Sequence, residues 1–561
     1  MTNDRGGGII HAIPRPPMGK SSIYKGLQMK NSIKLSLLSL SLAAAFPAFS
    51  AGNIVAGDTI DSTENVSVDS FGEKFEVNDG TADKFNAVAG INPNGHSVTY
   101  TGNEILVDLT NTTQIANGSR TYGIYASGDQ SKVTLGNSSS TVKFDVTGDG
   151  TQRPWAIYAE DKADVKIPGS DITFAATAPD ASSDTRTLQV KTRAKLSVDA
   201  GSTGTVNIVT KGNESAIGVI AMTNGELNIT AKEVNITSDG WGIHAQNNND
   251  DGVSPTDAAK ISINAEKTTI IANSLGIGAF SHGQVNISGD LTVTAEHAID
   301  VRGNSIVNIN QDGNGTVVLN GDIVFETPNA PGDAQNSGKI INADVNINLS
   351  TAESSWTGRA YQSYRIQNEG EYTDVENVEL TATEYNGNVT DFEVNMSNGA
   401  TWNVTGDSFI NTANISDGAT IVVSEDAKVL NSDKIDLNGG VLTLEGDATQ
   451  QVNVNTLSGT GGTIKVATAI KESGTFSTAN LNIATVDSTE TAPVLAVKYT
   501  GITADDLSSD VSADLEKLGE QSLTLGEGQT VAQTRIVDEG DIRGEVIQTV
   551  DETGAVAGTT Q

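Results

Sequence analysis

Residues 274 to 288 read SLGIGAFSHGQVNIS and residues 296 to 310 read EHAIDVRGNSIVNIN. In both, an aliphatic residue follows a small one (Ile277, Ile299), and eight positions later another aliphatic residue (Val285, Val307) opens an alternating run. The same frame fits TYGIYASGDQSKVTL (121 to 135), PWAIYAEDKADVKI (154 to 167), RTLQVKTRAKLSV (186 to 198) and SAIGVIAMTNGELNI (215 to 229). Its first aliphatic positions are Ile124, Ile157, Leu188, Ile217, Ile243, Ile277 and Ile299, at intervals of 22 to 34 residues. The second positions are Val133, Val165, Leu196, Leu227, Val285 and Val307. In the Ile243 unit the insertion NNNDDGVSPTD (247 to 257) delays the second position to Ile261. Repeats of this length with strands of four to six residues between Gly, Asn and Asp turns are the signature of stacked coils. A single coil has nothing to cover its apolar side chains, so stability must come from its neighbours. The reading is all-β: a right-handed parallel β-helix (solenoid) with irregular loops at the coil turns. Independent β-sandwich domains would also have short strands, but they do not need one frame seven times over.

Composition agrees with an elongated chain. At 561 residues with only 5% aromatics, one large globular core is a poor fit, whereas many small β units need chiefly Val, Ile, Leu and Ala. Lys plus Arg total 34 against 70 Asp plus Glu, a net charge of -36 that repels phosphate backbones and disfavours nucleic acid as a partner. There is no cysteine, so packing and backbone ladders must hold the fold without disulfides.

From Met29 the chain reads MKNSIKLSLLSLSLAAAFPAFSAGN. Lys30 and Lys34 precede an apolar run from Leu35 to Phe46, and Ala48 and Ser50 supply the small residues that signal cleavage requires. The run is too short to span a bilayer. Residues 29–50 are therefore read as a signal peptide, with Ala51 starting the mature chain and residues 1–28 a mis-assigned upstream leader. Later divisions are a cap and first coils (51–120), irregular coils (121–325), a coil extension with loops (326–384), a C-terminal β-helix (385–500) and a linker tract (501–561).

From about residue 385 the pattern becomes DFEVNMSNGATWNVTGDSFINTANISDGATIVV, then KIDLNGGVLTLEG, then VNTLSGTGGTIKV. These segments resemble the C-terminal half of the passenger regions of pertactin-like and AIDA-like autotransporters. SNGATWNVTGDS, with Trp402, is the most specific part, and LSGTGGTI (457 to 464) resembles the autochaperone segment. The resemblance implies type V secretion to the surface or exterior of a Gram-negative bacterium. It also implies an adhesin or self-association role, with host surface molecules or identical passengers as partners. An outer-membrane translocation barrel follows the passenger in that family; here the chain ends at ETGAVAGTTQ without such strands, and residues 534 to 556 resemble the tract leading into one.

The alternative is a β-helix polysaccharide-cleaving enzyme, a glycoside hydrolase or lyase. Its candidates are Asp239 and His244 in TSDGWGIHA, the pair Asp250 and Asp251, and His282. Such chemistry needs two carboxylates at one coil position with opposite protonation states. Asp250 and Asp251 lie instead in a polar insertion without Arg or Lys nearby. Ser408 in GDSFI lacks the Gly that a GDSGS serine-protease context would place after it, and reads as a turn residue. His11, His96, His244, His282 and His297 are scattered without zinc spacing, and Asp312 in QDGNGT reads as a solvated turn rather than a calcium loop. The expectation is no catalytic, cofactor or metal site, hence no cofactor.

Overall fold

A computed structural model describes residues 50–78, 84–110, 120–148, 153–178, 185–247, 258–327, 342–368, 371–380, 389–472, 474–487, 494–529, 531–537, 546–550 and 556–560. All belong to one compact unit, Ala48–Gln561. The predicted signal up to residue 49, His11, and the pair Asp250 and Asp251 lie outside the described residues.

Strands separated by turn residues stack in parallel register, most of them pairing with the counterpart one coil away; a few, such as Phe75–Asn78 with Lys84–Asn92 and Ala360–Asn368 with Glu371–Asn377, pair antiparallel with their sequence neighbours. One full coil shows the plan: Arg120–Ser127, Lys132–Leu135 and Thr141–Thr147 pair with Arg153–Glu160, Asp164–Pro168 and Asp171–Thr177 of the next. Three parallel sheets result, called I, II and III in that order. The fold is the parallel β-helix that the repeat predicts.

Alternation turns one set of side chains inward, and stacking converts it into columns. In sheet II the column runs Val98, Val133, Val165, Leu196, Leu227, Ile261, Val285, Val307, Val345, Phe392. In sheet I it runs Ile91, Ile124, Ile157, Leu188, Val219, Ile243, Ile277, Ile299, Ile323. These residues are buried, each contributing about 1.5–3 kcal/mol on the usual transfer scale once neighbours cover it. One position of the sequence reading is corrected here. Ile217 does not join the sheet I column; it pairs with Arg186 and Trp241, and Val219 takes the core place. The small-then-aliphatic step in that coil is Gly218-Val219, in line with Gly242-Ile243 and Gly276-Ile277, not Ala216-Ile217.

The sheet III column passes from Val107 through Phe144, Phe174, Ile208, Ile236, Ile270, Val293 and Leu319 to Trp356 and Trp402. It continues through Ile421, Leu442, Ile464 and Val497 and ends at Arg535. Arg535 is 5% exposed, donates to the Leu515 carbonyl at 2.9 Å, and has its pKa depressed by burial. Leu515 lies on helix α1 (Val511–Ser522), which carries an Asp510 N-cap accepting from the Ala513 N–H. A charged residue thus closes the apolar column next to a helix.

Outside the core, amide side chains repeat the same register. Asn308 donates to Asn286 at 2.8 Å and Asn346 to Asn308 at 2.9 Å; Asn395 and Asn414 extend a parallel row from Asn348. Each amide is both donor and acceptor, so a row satisfies itself from coil to coil.

Candidate functional site

Sheet I departs from simple alternation at one point in each coil. Pairing steps directly from Trp155–Arg186 to Ile157–Leu188, and from Trp241–Leu275 to Ile243–Ile277, omitting the residue between. The omitted positions are Gly123, Ala156, Thr187, Gly218, Gly242 and Gly276. A Cβ on Gly242 would lie 2.5 Å from the Ile270 side chain and 2.7 Å from the Gly276 carbonyl, so that coil needs glycine at the corner, whereas Ala156 and Thr187 hold the same position in other coils. The irregularity breaks parity. Ala156, Ile157 and Ala159 join the main core, whereas Trp155 and Tyr158 form a second cluster with Ala87, Ala89 and Tyr122. Sheet I therefore carries a band of side chains off the core, two residues before and one after each column position.

At the N-terminal end this band is aromatic. Tyr122 meets Trp155 edge-on at 5.2 Å, and Tyr125 stacks on Tyr158 at 5.7 Å. The Arg120 and Arg186 guanidiniums sit 5.0 Å and 5.1 Å from the Trp155 ring. Glu160, 5% exposed, accepts from the Tyr125 hydroxyl at 2.6 Å and the Tyr158 hydroxyl at 2.7 Å. Burial raises its pKa above the usual carboxylate range, against the two tyrosine hydrogen bonds that pull it down. Burial also pushes Tyr122, Tyr125 and Tyr158 up.

Farther along the rod, His244 lies between Trp241 at 4.9 Å and Phe280 at 4.7 Å, both edge-on. It is 5% exposed, neither ring nitrogen has a hydrogen-bond partner among the described residues, and burial, with Arg302 and Arg186 adding like charge, lowers its pKa to about 3. The imidazole is neutral at physiological pH and acts as a third ring in the stack. Arg302 lies 3.9 Å over Phe280 and bridges Asp300 at 3.2 Å and Glu326 at 2.6 Å. Two coils later Arg359 bridges Asp322 at 3.1 Å and Glu376 at 2.6 Å, 4.2 Å from the Tyr361 ring. Tyr361 meets His297 across 3.4 Å.

The remaining sequence candidates sit in structural roles. Asp239 Oδ2 accepts from the Gly212 N–H at 3.0 Å at the turn into Trp241–Gln246. His282 occupies a left-handed turn position (φ 66°) before Gly283, and the His96 N–H donates to the Pro93 carbonyl in another turn. Ser408 is buried, donating to the Gly406 carbonyl at 2.7 Å and accepting from the Ala360 N–H. Asp312 accepts from the Asn314 side chain at 3.0 Å in its own turn. Among the described residues no group of three or more His, Asp or Glu is arranged to hold a metal.

Reading the sequence missed this band: Trp155, Tyr158, Glu160, Trp241 and Phe280 were not singled out. The signal was there, in aromatics recurring two before and one after the column residue in TYGIY and PWAIY.

No family model matches the chain and no curated protein matches it. Among solved structures, one that is similar is the crystal structure of the autotransporter UpaB from E. coli strain CFT073, at 14% identity over 90% of this chain and 98% of that chain, with a TM-score of 0.41.

Proposed function

We propose that the chain is the exported passenger of a Gram-negative autotransporter, and that it works at the cell surface as an adhesin or self-association module, by contact and without turnover. The observation carrying the binding reading is the state of the carboxylates on and beside sheet I. Glu160 is held by two tyrosines, Asp300 and Glu326 by Arg302, and Asp322 and Glu376 by Arg359. Carboxylates engaged in this way stiffen a surface; a glycosidase needs one poised to give a proton and another poised to attack. The signal-type segment before Ala51 and the passenger-like motifs around Trp402 support export. A stiff rod then adds many weak contacts through avidity.

The test is a strain lacking the gene. It should lose adhesion or cell–cell aggregation and regain it on complementation, while the purified protein leaves neutral and acidic polysaccharides uncut. Cleavage that disappears in Glu326→Gln would replace this reading with the hydrolase one.

A further inference from the structure

The last coils hold a feature that the repeat does not require. After Thr463–Ile470 the chain folds back as an antiparallel hairpin with Phe476–Thr478, and helix α1 later runs directly into Leu523–Leu525, which pairs with Asn480–Val486. Between the hairpin and that junction lies a groove of about 480 Å³. Four amides line it: Gln451, Asn480, Asn482 and Gln521. Phe476 forms an apolar wall, and Lys471 stands at the rim.

The amides retain unused hydrogen-bonding capacity. Asn482 Nδ2 donates to Gln451 Oε1 at 3.0 Å and to Asn453 Oδ1 at 2.8 Å, which leaves the Asn482 oxygen and the Gln451 NH2 unused. Asn480 Nδ2 donates to the Gln521 backbone carbonyl at 2.8 Å, and Asn480 Oδ1 has no partner among the described residues. The Thr478 side chain, on a residue 2% exposed, also lines the groove, and its hydroxyl has no partner among the described residues. Buried polar groups are ordinarily satisfied, so two unsatisfied buried atoms, Asn480 Oδ1 and Thr478 Oγ1, beside the accessible amides of one concavity mark a place where a polar ligand replaces water.

We propose that this groove binds a neutral saccharide unit of one or two rings. Side-chain amides present a donor beside an acceptor, the pairing that vicinal hydroxyls require. Phe476 offers the C–H face of a sugar ring an apolar surface, and the volume falls within the range of small-ligand sites. Among the described residues no carboxylate lines the groove, and the one lysine at its rim does not outweigh the field of a chain with net charge -36, which disfavours anionic sugars. The site is independent of the surface-display reading, because it is tested on purified protein whether or not the chain is exported.

The experiment is titration of the purified full chain with maltotriose, mannotriose and trigalacturonic acid, followed by calorimetry or ligand-observed NMR. Gln451→Leu and Gln521→Leu keep side-chain volume and remove the amides, and thermal melts confirm that both variants fold. The expected result is saturable binding of a neutral trisaccharide, weakened about fivefold in each variant by loss of hydrogen bonds. Absence of saturable binding to either neutral sugar, binding unchanged in both variants, or preference for the acidic sugar would each overturn the proposal. None of these results bears on whether deleting the gene abolishes adhesion.

Discussion

Trp356 and Trp402 lie face to face with ring centres 4.3 Å apart and planes 11° from parallel, because they are register partners in successive coils. Each indole N–H is satisfied inside the core, Trp356 by the Gly321 carbonyl at 3.0 Å and Trp402 by the Gly358 carbonyl at 3.1 Å. Phe392 meets both rings, and Phe325 and Phe409 pack in turn on Phe392. This aromatic knot joins the irregular coils before it to the regular ones after it.

Trp402→Ala leaves a cavity under Trp356 and is expected to cost about 3–5 kcal/mol in denaturant unfolding. Limited proteolysis of the parent protein should leave a resistant C-terminal fragment containing Trp402, shortened or lost in the variant. A surviving fragment drawn from residues 121 to 325 would contradict the expectation that the coils around Trp402 are the most stable.

His244 supplies a pH test. Its pKa falls from 6.5 in the unfolded chain to about 3 in the fold, so the stability it contributes is complete above pH 6.5 and is lost as pH falls from 6.5 toward 3. The slope approaches ~1.4 kcal/mol per pH unit within that window. His244→Phe keeps a ring between Trp241 and Phe280 and removes the slope, so the stability difference between variant and parent should grow in the variant's favour on acidification. A difference independent of pH would mean that the imidazole is not buried in neutral form.

The corner of sheet I is tested at Gly242. Gly242→Ala drives a methyl against Ile270 and the Gly276 carbonyl and should destabilise by about 1–3 kcal/mol. Gly57→Ala, whose Cβ meets nothing within 4 Å, should stay within about 0.5 kcal/mol of the parent. Equal melting temperatures for the two variants would contradict the placement of that corner.

The same corner explains what could be read from sequence. Every second-position residue named from the repeat, from Val133 to Val307, falls on the sheet II column, because those strands alternate without interruption. Sheet I was legible except at Ile217, where aliphatic residues on both sides of Gly218 hid which one takes the core place. The aromatic and charged band was not legible by periodicity. Trp155 and Ile157 share strand parity, yet the irregularity at Ala156 sends one out and the other in. The groove beside Lys471 depends on a hairpin and a helix that pack together only in three dimensions, and no local pattern announces it.

Surface display is the central claim, and brief protease treatment of intact producing cells, with mass spectrometry of the released peptides, tests it most directly. The account predicts release of peptides from the solenoid before lysis, and a mature N-terminus at Ala51. Peptides appearing only after lysis, on a species that still carries residues 1–28, would contradict it.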